Sequence, residues 1–245
     1  MPGPRFAADD AATAHVFAAT LTDKVTIAGP DGHHLARARR VRPGERVTVA
    51  DGDGAWRPYT VSAVTGDGLQ LGAAGPIACE PVLTPRLVVA FALTKGEKPE
   101  VVVQKVTELG ADAVQPVVSC RTVRRAVDTT RTARVTGRLR RVAREAATQC
   151  RRARVPEVSE PAALSSLAGR SGLVVAARDG GAPGDLPAPT GGEWVLIVGP
   201  EGGLDPAELE ALDHPPGLAV GPHVLRAETA AIAATAALAV RRRPA

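Results

Sequence analysis

Two elements near the C-terminus combine residue types that can do chemistry. In the first, Val195-Leu196-Ile197-Val198 runs directly into Gly199-Pro200-Glu201-Gly202-Gly203-Leu204, an apolar run followed by a glycine-rich turn that would bare backbone amides to a ligand. The turn is neither G-x-G-x-x-G nor G-x-x-x-x-G-K-[ST], so the common dinucleotide and triphosphate cradles are excluded, and a plain strand-to-helix turn is the alternative. The second is Val220-Gly221-Pro222-His223-Val224-Leu225-Arg226-Ala227-Glu228-Thr229-Ala230, where an apolar run ends in a turn before a helix. Arg226 is the only lysine or arginine between Arg178 and Arg241, in a stretch otherwise apolar or acidic. An isolated guanidinium there suits stabilisation of negative charge on a bound group. Glu228 and Thr229 also fit as caps of the following helix.

A third feature is electrostatic. Arg121 to Arg154 holds twelve arginines against Asp128 and Glu145, a segment charge near +10 in a chain whose net charge is +4. The remainder therefore sums to about −6, and so asymmetric a distribution points to a polyanion partner; a solvated helix face is the bland alternative. Aromatic residues make up only 2%, which argues against base-stacking platforms as the main mode of binding.

These residues must be positioned by a chain of 245 residues, long enough for one large domain or two unequal ones. From Lys24 to Leu71, short apolar pieces such as Val47-Thr48-Val49 and Tyr59-Thr60-Val61 alternate with Gly/Asp turns, predicting a small β-rich barrel. Gly72 to Pro85, rich in Gly and Pro, reads as a linker. Beyond it, Leu87 to Leu93, Val114 to Val118, Leu173 to Ala177, Trp194 to Val198 and Leu218 to Val220 are buried-strand runs. Helices are expected from Pro99 to Gly110, from Thr132 to Cys150 with Val135, Leu139, Val142 and Ala146 as its apolar stripe, and from Glu228 to Val240. Asp205-Pro206-Ala207-Glu208 has the pattern of a capped helix start. This alternation predicts an α/β domain built on a mainly parallel sheet.

Cys79, Cys120 and Cys150 form an odd set without C-x-x-C spacing, which fits a reducing cytoplasm and gives neither a disulfide framework nor a four-ligand zinc site. Asp9, Asp10 and His15 break up the N-terminal stretch, so no secretory signal is expected, and no apolar run reaches membrane-spanning length.

Taken together, these motifs resemble the RsmE-type 16S rRNA uridine-N3 methyltransferases of the SPOUT superfamily. The similarity spans nearly the whole chain. His33-His34-Leu35, Arg40 and Arg42-Pro43-Gly44-Glu45 resemble the family's N-terminal PUA-like barrel; Lys95-Gly96-Glu97-Lys98 and Gln104 to Gly110 resemble the start of its catalytic domain. Arg144-Glu145-Ala146-Ala147 with Gln149, Arg152, Arg154 and Pro156 resembles its middle signature, and Gly199 to Gly203 with Val224 to Ala230 its two cofactor loops. The chain departs from that pattern at Arg151, where many relatives carry glycine, and at Cys120, where an acidic residue is expected.

The resemblance implies a PUA-like RNA-binding domain over residues 1–74 and a trefoil-knotted α/β methyltransferase domain over residues 82–245. It implies S-adenosylmethionine as cofactor, held by Val198, Gly199, Pro200, Glu201, Gly202, Val220, Gly221, Leu225, Arg226 and Thr229, with no metal. Arg226 and Glu228 are the catalytic candidates, the proton acceptor being open between Glu228 and Glu201. RNA contacts are expected at His34, Arg37, Arg40, Arg121, Arg144, Arg151, Arg152 and Arg154. The implied partners are 16S rRNA within the small ribosomal subunit and a second copy of the chain. A ribose 2′-O-methyltransferase and a non-catalytic RNA-binding or ribosome-assembly protein are the competing readings.

Overall fold

The computed structural model describes residues 11–93, 98–122 and 129–245, without the side chains of Thr129 and Arg131. Lys95, Gly96, Glu97, Arg124 and Arg125 lie outside the described residues. The chain divides into two compact units, the first formed by the described residues of Met1–Val82 together with Ala147–Val155.

In the first unit, β1 (Ala14–Phe17), β2 (Lys24–Ala28), β3 (Arg46–Ala50), β4 (Ala55–Thr65), β5 (Gly68–Ala73) and β6 (Ala78–Cys79) form one sheet in the order β1-β3-β4-β5-β2, with β6 on β4. β1 runs parallel to β3; the other pairs are antiparallel. Alternation in β2 sends Val25 and Ile27 inward, where they pack with Val47, Val49, Tyr59, Val61, Leu69 and Leu71. The β3–β4 turn is closed by Asp51, whose Oδ1 accepts the amides of Asp53, Gly54 and Ala55 at 2.7, 3.0 and 3.1 Å. Helix α1 (Gly29–His33) continues into a π-helical turn over His34–Ala38.

The second unit, Leu83–Ala146 with Pro156–Ala245, is an α/β layer. Its strands are β8 (Arg86–Ala92), β9 (Ala113–Val118), β10 (Glu157–Val158), β11 (Ala162–Ala163), β12 (Leu173–Gly181), β13 (Glu193–Val198) and β14 (Gly217–Leu218). They lie in the order β10-β9-β8-β13-β12-β14, with β11 on β9, and every pair is parallel. As expected for a parallel sheet covered on both faces, β8 and β13 are almost wholly buried. The last run is shorter than its sequence predicts: Ala219 and Val220 fall outside β14.

Helix α2 (Lys98–Glu108) forms despite three consecutive valines because Val102, Val103 and Val106 bury one face, and Gly110 follows at φ 92°. Helix α3 (Thr129–Gln149) buries Leu139 and Ala146 of the predicted stripe together with Ala143, while Val135 and Val142 are half-buried. Helix α4 (Pro206–Ala211) carries the predicted capping box, Asp205 Oδ1 accepting from the Ala207 amide and Glu208 accepting from the Asp205 amide. Helix α5 (Ala227–Ala239) seats Ala231, Ala234 and Leu238, all fully buried, against α2, β13 and β8.

The stretch Gly72 to Pro85 holds the boundary expected there, with one unit ending at Val82 and the next beginning at Leu83, but it is not a linker without paired backbone. β6 pairs with β4, β7 (Leu83–Thr84) pairs with β15 (Arg243–Pro244), and Glu80 is buried. Pro- and Gly-rich composition signals only the lack of a long periodic run; the backbone here still finds ladder partners. Arg242, also buried, closes the second unit by donating to the carbonyls of Pro85 at 2.7 Å, Gly110 at 2.6 Å and Leu83 at 3.1 Å, and by pairing with Asp112.

Candidate functional site

The glycine-rich turn leaves the C-terminal end of β13, and the Val220 to Leu225 turn follows β14 at the same edge of the parallel sheet. That edge, outside the carboxyl ends of the strands, is where open α/β sheets bind ligands. A cavity of about 150 Å³ opens there, walled by Ala176, Ala177, Leu218, Val220, Leu225 and Ala230. Gly180 allows β12 to meet β14 at this edge, since an added Cβ would overlap the Gly217 backbone. Val198 and Pro200 are buried under the turn, whereas Glu201, Gly202 and Gly203 face outward and Gly203 takes a positive φ of 73°.

Three distant stretches meet in one ion cluster. Lys98 Nζ, at the start of α2, lies 2.5 Å from Glu201 Oε1 in the glycine turn and 3.6 Å from Glu228 Oε2 in the first turn of α5. The hydrogen bond to Glu201 raises the Lys98 pKa, and the same bond lowers that of Glu201. Arg226 is the exposed N-cap residue of α5, and no side chain makes a capping bond there. The cap expectation for Glu228 and Thr229 is therefore corrected: Thr229 is exposed, and Glu228 Oε2 is buried without a hydrogen-bond partner. A buried carboxylate oxygen left without a donor carries a desolvation cost, the kind of group that a ligand or a proton satisfies.

The basic residues fall into separate groups. Arg121 braces the glycine turn, donating to the Gly202 carbonyl at 2.8 Å and to Asp205 Oδ2 at 3.0 Å. Its neighbour Cys120 donates its amide to Glu208 Oε1 at 2.8 Å. On α3, Arg134, Arg141 and Arg144 are exposed, Arg138 pairs with Glu100 at 2.7 Å, and Arg140 donates to the Val158 carbonyl. In the first unit, His34, Arg37 and Arg40 occupy exposed positions on and just after the π-helical turn, Arg40 with φ 52°.

Arg151, Arg152 and Arg154 belong to a turn pinned from two sides. His15 Nε2 donates to the Arg152 carbonyl at 3.0 Å, which leaves Nδ1 to accept from Thr48 at 2.8 Å. Glu80 Oε2 accepts the amides of Ala153 and Arg154 at 2.5 and 3.2 Å. Burial pushes the Glu80 carboxyl up, while Arg152 and these amides pull it back. The Arg154 guanidinium turns inward to the carbonyls of Asp53 and Glu80, and a Cβ on Gly54 would overlap it. Arg151 sits at φ 59°, in the left-handed position that follows a helix C-terminus.

The sequence did not single out Lys98, Arg178 or His223 as site residues. Arg178 and His223 are the charged and titratable side chains on the cavity wall, and Lys98 joins the glycine turn to the first turn of α5. The basic residue at the head of the helix after β8 was the available signal, but only folding shows which acids it meets. Among the described residues, no group of three or more His, Cys, Asp or Glu side chains could hold a metal ion.

Fold and site together define an RNA methyltransferase. The RNA methyltransferase domain family matches residues 82–239, and the RNA methyltransferase PUA domain family matches residues 27–72. The chain is 37% identical over 235 residues to the ribosomal RNA small subunit methyltransferase E of Mycobacterium bovis, covering 90% of this chain and 89% of that one. It is 30% identical to the protein of that name from Bacillus subtilis, covering 87% and 88%. The crystal structure of ribosomal RNA small subunit methyltransferase E from Neisseria gonorrhoeae bound to S-adenosyl methionine superposes with a TM-score of 0.81 at 25% identity, covering 93% of this chain and 97% of that one. The chain belongs to the ribosomal RNA small subunit methyltransferase E family.

Proposed function

We propose that the chain transfers a methyl group from S-adenosylmethionine to N3 of a uridine in the decoding region of 16S rRNA. The observation that carries the reading is the side-chain link of the glycine turn to Glu228 through Lys98, beside a cavity lined by the Val220 to Leu225 turn that leads into Arg226. The residues fit the cofactor. The cavity has room for the heterocycle of a nucleoside, its walls combine aliphatic side chains with polar surface, and Arg178 and His223 provide polar handles. Val198 to Gly202, Val220, Gly221, Leu225, Arg226 and Thr229 are the proposed contacts.

When bound, S-adenosylmethionine supplies an electrophilic methyl group; the protein's part is to align the base and control its charge. Uridine N3 carries a proton and is a poor nucleophile while it keeps it. Arg226, exposed at the site, stabilises the negative charge that develops on the uracil oxygens. Glu228 accepts the proton on its buried oxygen.

The remaining parts of this reading rest on family membership and charge. Residues 1–74 act as a PUA-like RNA-binding domain and residues 82–245 as a trefoil-knotted methyltransferase domain. The enzyme works as a cytoplasmic homodimer. No described helix is long and apolar enough to cross a membrane. His34, Arg37, Arg40, Arg121, Arg144, Arg151, Arg152 and Arg154 meet the RNA backbone, Arg121 and Arg154 also bracing their own turns.

Mass spectrometry of nucleosides from 16S rRNA of a deletion strain tests the proposal. The expected result is loss of 3-methyluridine, restored by the wild-type chain. Loss of a ribose-methylated nucleoside instead would reassign the target atom. Folded protein that fails to bind S-adenosylmethionine at millimolar concentration in calorimetry would be a non-catalytic RNA binder.

A further inference from the structure

Lys98 stands at the only described point where the glycine turn and the Arg226–Glu228 turn are joined by a side chain. Its ammonium touches Glu201 at 2.5 Å and reaches Glu228 Oε2 at 3.6 Å. The Glu228 side chain is 19% exposed, against 51% for Glu201. One acid of the pair is thus solvated and the other sheltered. A sheltered carboxylate drifts toward its neutral form unless a cation faces it. Among the described residues, the charged groups facing Lys98 are Glu201, Glu228 and Arg226.

We infer that Lys98 is a positioning residue that keeps Glu228 ionised as the proton acceptor, with Glu201 holding the Lys98 ammonium in place. This rests on the proposed role of Glu228. The atoms balance without a further reactant: the N3 proton would pass to the Glu228 carboxylate as N3 bonds to the methyl group, the sulfur–methyl bond would break with its electron pair left on S-adenosylhomocysteine, and Lys98 would stay protonated throughout.

Two disruptions of the same ion pair then have opposite signs. Lys98→Met removes the cation that faces the Glu228 carboxylate, whereas Glu201→Gln removes the outer acid and leaves Lys98 to Glu228 alone. The acidic limb of the kcat–pH profile, measured with 16S rRNA under saturating cofactor, should move up by about one pH unit in Lys98→Met, since an opposite charge within a few ångströms shifts a carboxyl by about that much or more. It should move down or hold in Glu201→Gln, and Lys98→Arg should restore the wild-type limb. A purely structural salt bridge would cost activity in both variants with no movement of the limb. An unmoved limb in Lys98→Met, or limbs that shift in the same direction in Lys98→Met and Glu201→Gln, overturns the inference. Glu228→Gln separates the two levels: wild-type turnover there defeats the proton-acceptor reading itself. An inactive Glu228→Gln beside an unmoved Lys98→Met limb defeats only the role of Lys98.

Discussion

His15 Nε2 lies 3.0 Å from the carbonyl oxygen of Arg152, so a buried imidazole in β1 holds a turn 137 residues away in sequence. Burial lowers its pKa from 6.5 to about 4. The unfolded chain therefore binds a proton between those values that the folded chain does not, and stability present above pH 6.5 is lost as pH falls toward 4. Urea unfolding from pH 7 to pH 4 should show the wild type losing as much as about 3 kcal/mol more than His15→Gln. The raised pKa of Glu80 works in the opposite direction, but it is common to both proteins and cancels in the comparison. Parallel pH curves would mean that His15 titrates normally.

Arg151 occupies a left-handed conformation, φ 59°, that costs a side chain roughly 1–2 kcal/mol and costs glycine little. The greater freedom of glycine in the unfolded chain returns about 0.5–1 kcal/mol of this. Arg151→Gly should therefore be neutral or stabilising by up to about 1 kcal/mol in thermal unfolding, while weakening RNA binding. A clear loss of stability would show that contacts of the arginine side chain outweigh its strain.

Arg242 is buried with its guanidinium on Asp112 and three carbonyls, so its removal strands several polar groups at once. Breaking a buried pair of this kind costs about 3–5 kcal/mol. Arg242→Met should lower Tm by roughly 10 °C, at 2–4 °C per kcal/mol for a chain of this size. A shift within a degree or two would mean that the carbonyls find other donors.

Arg226 is exposed and caps no helix through its side chain, so the fold does not need it. Arg226→Ala should keep its unfolding curve and lose about 10²- to 10³-fold in kcat, the usual effect of removing one donor to a developing anion. Near-normal turnover would exclude Arg226 from the chemistry.

Arg151 and Arg152 are expected to meet phosphate, each contact adding about 0.7 to the slope of log K against log salt for single-stranded nucleic acid. The double replacement Arg151→Ala, Arg152→Ala should flatten that slope by about 1.4 in a filter-binding titration with 16S rRNA. Arg154→Ala should weaken RNA binding and also destabilise the turn, because its guanidinium donates to the Asp53 and Glu80 carbonyls. An unchanged slope in the double variant would place the RNA elsewhere.

The sequence by itself determined what local chemistry encodes. Apolar runs gave β8, β9, β12 and β13, the stripe Leu139–Ala146 gave α3, and Asp205-Pro206-Ala207-Glu208 gave its capping box, because each signal lies within one or two turns of the chain. The glycine turn and Arg226 were legible for the same reason. Other features depended on long-range contacts and stayed silent until the tertiary structure brought them together. Nothing local in Lys98 names Glu201 and Glu228 as its partners. Nothing in the Gly72 to Pro85 composition reveals the pairing of β6 or β7, and nothing in Arg242 foretells the carbonyls it satisfies. The strain at Arg151 is a backbone angle, which composition does not carry. Residue type fixes what a group can do, but its charge environment and its hydrogen-bond partners are properties of the folded neighbourhood, and those decided which of the candidate groups form one site.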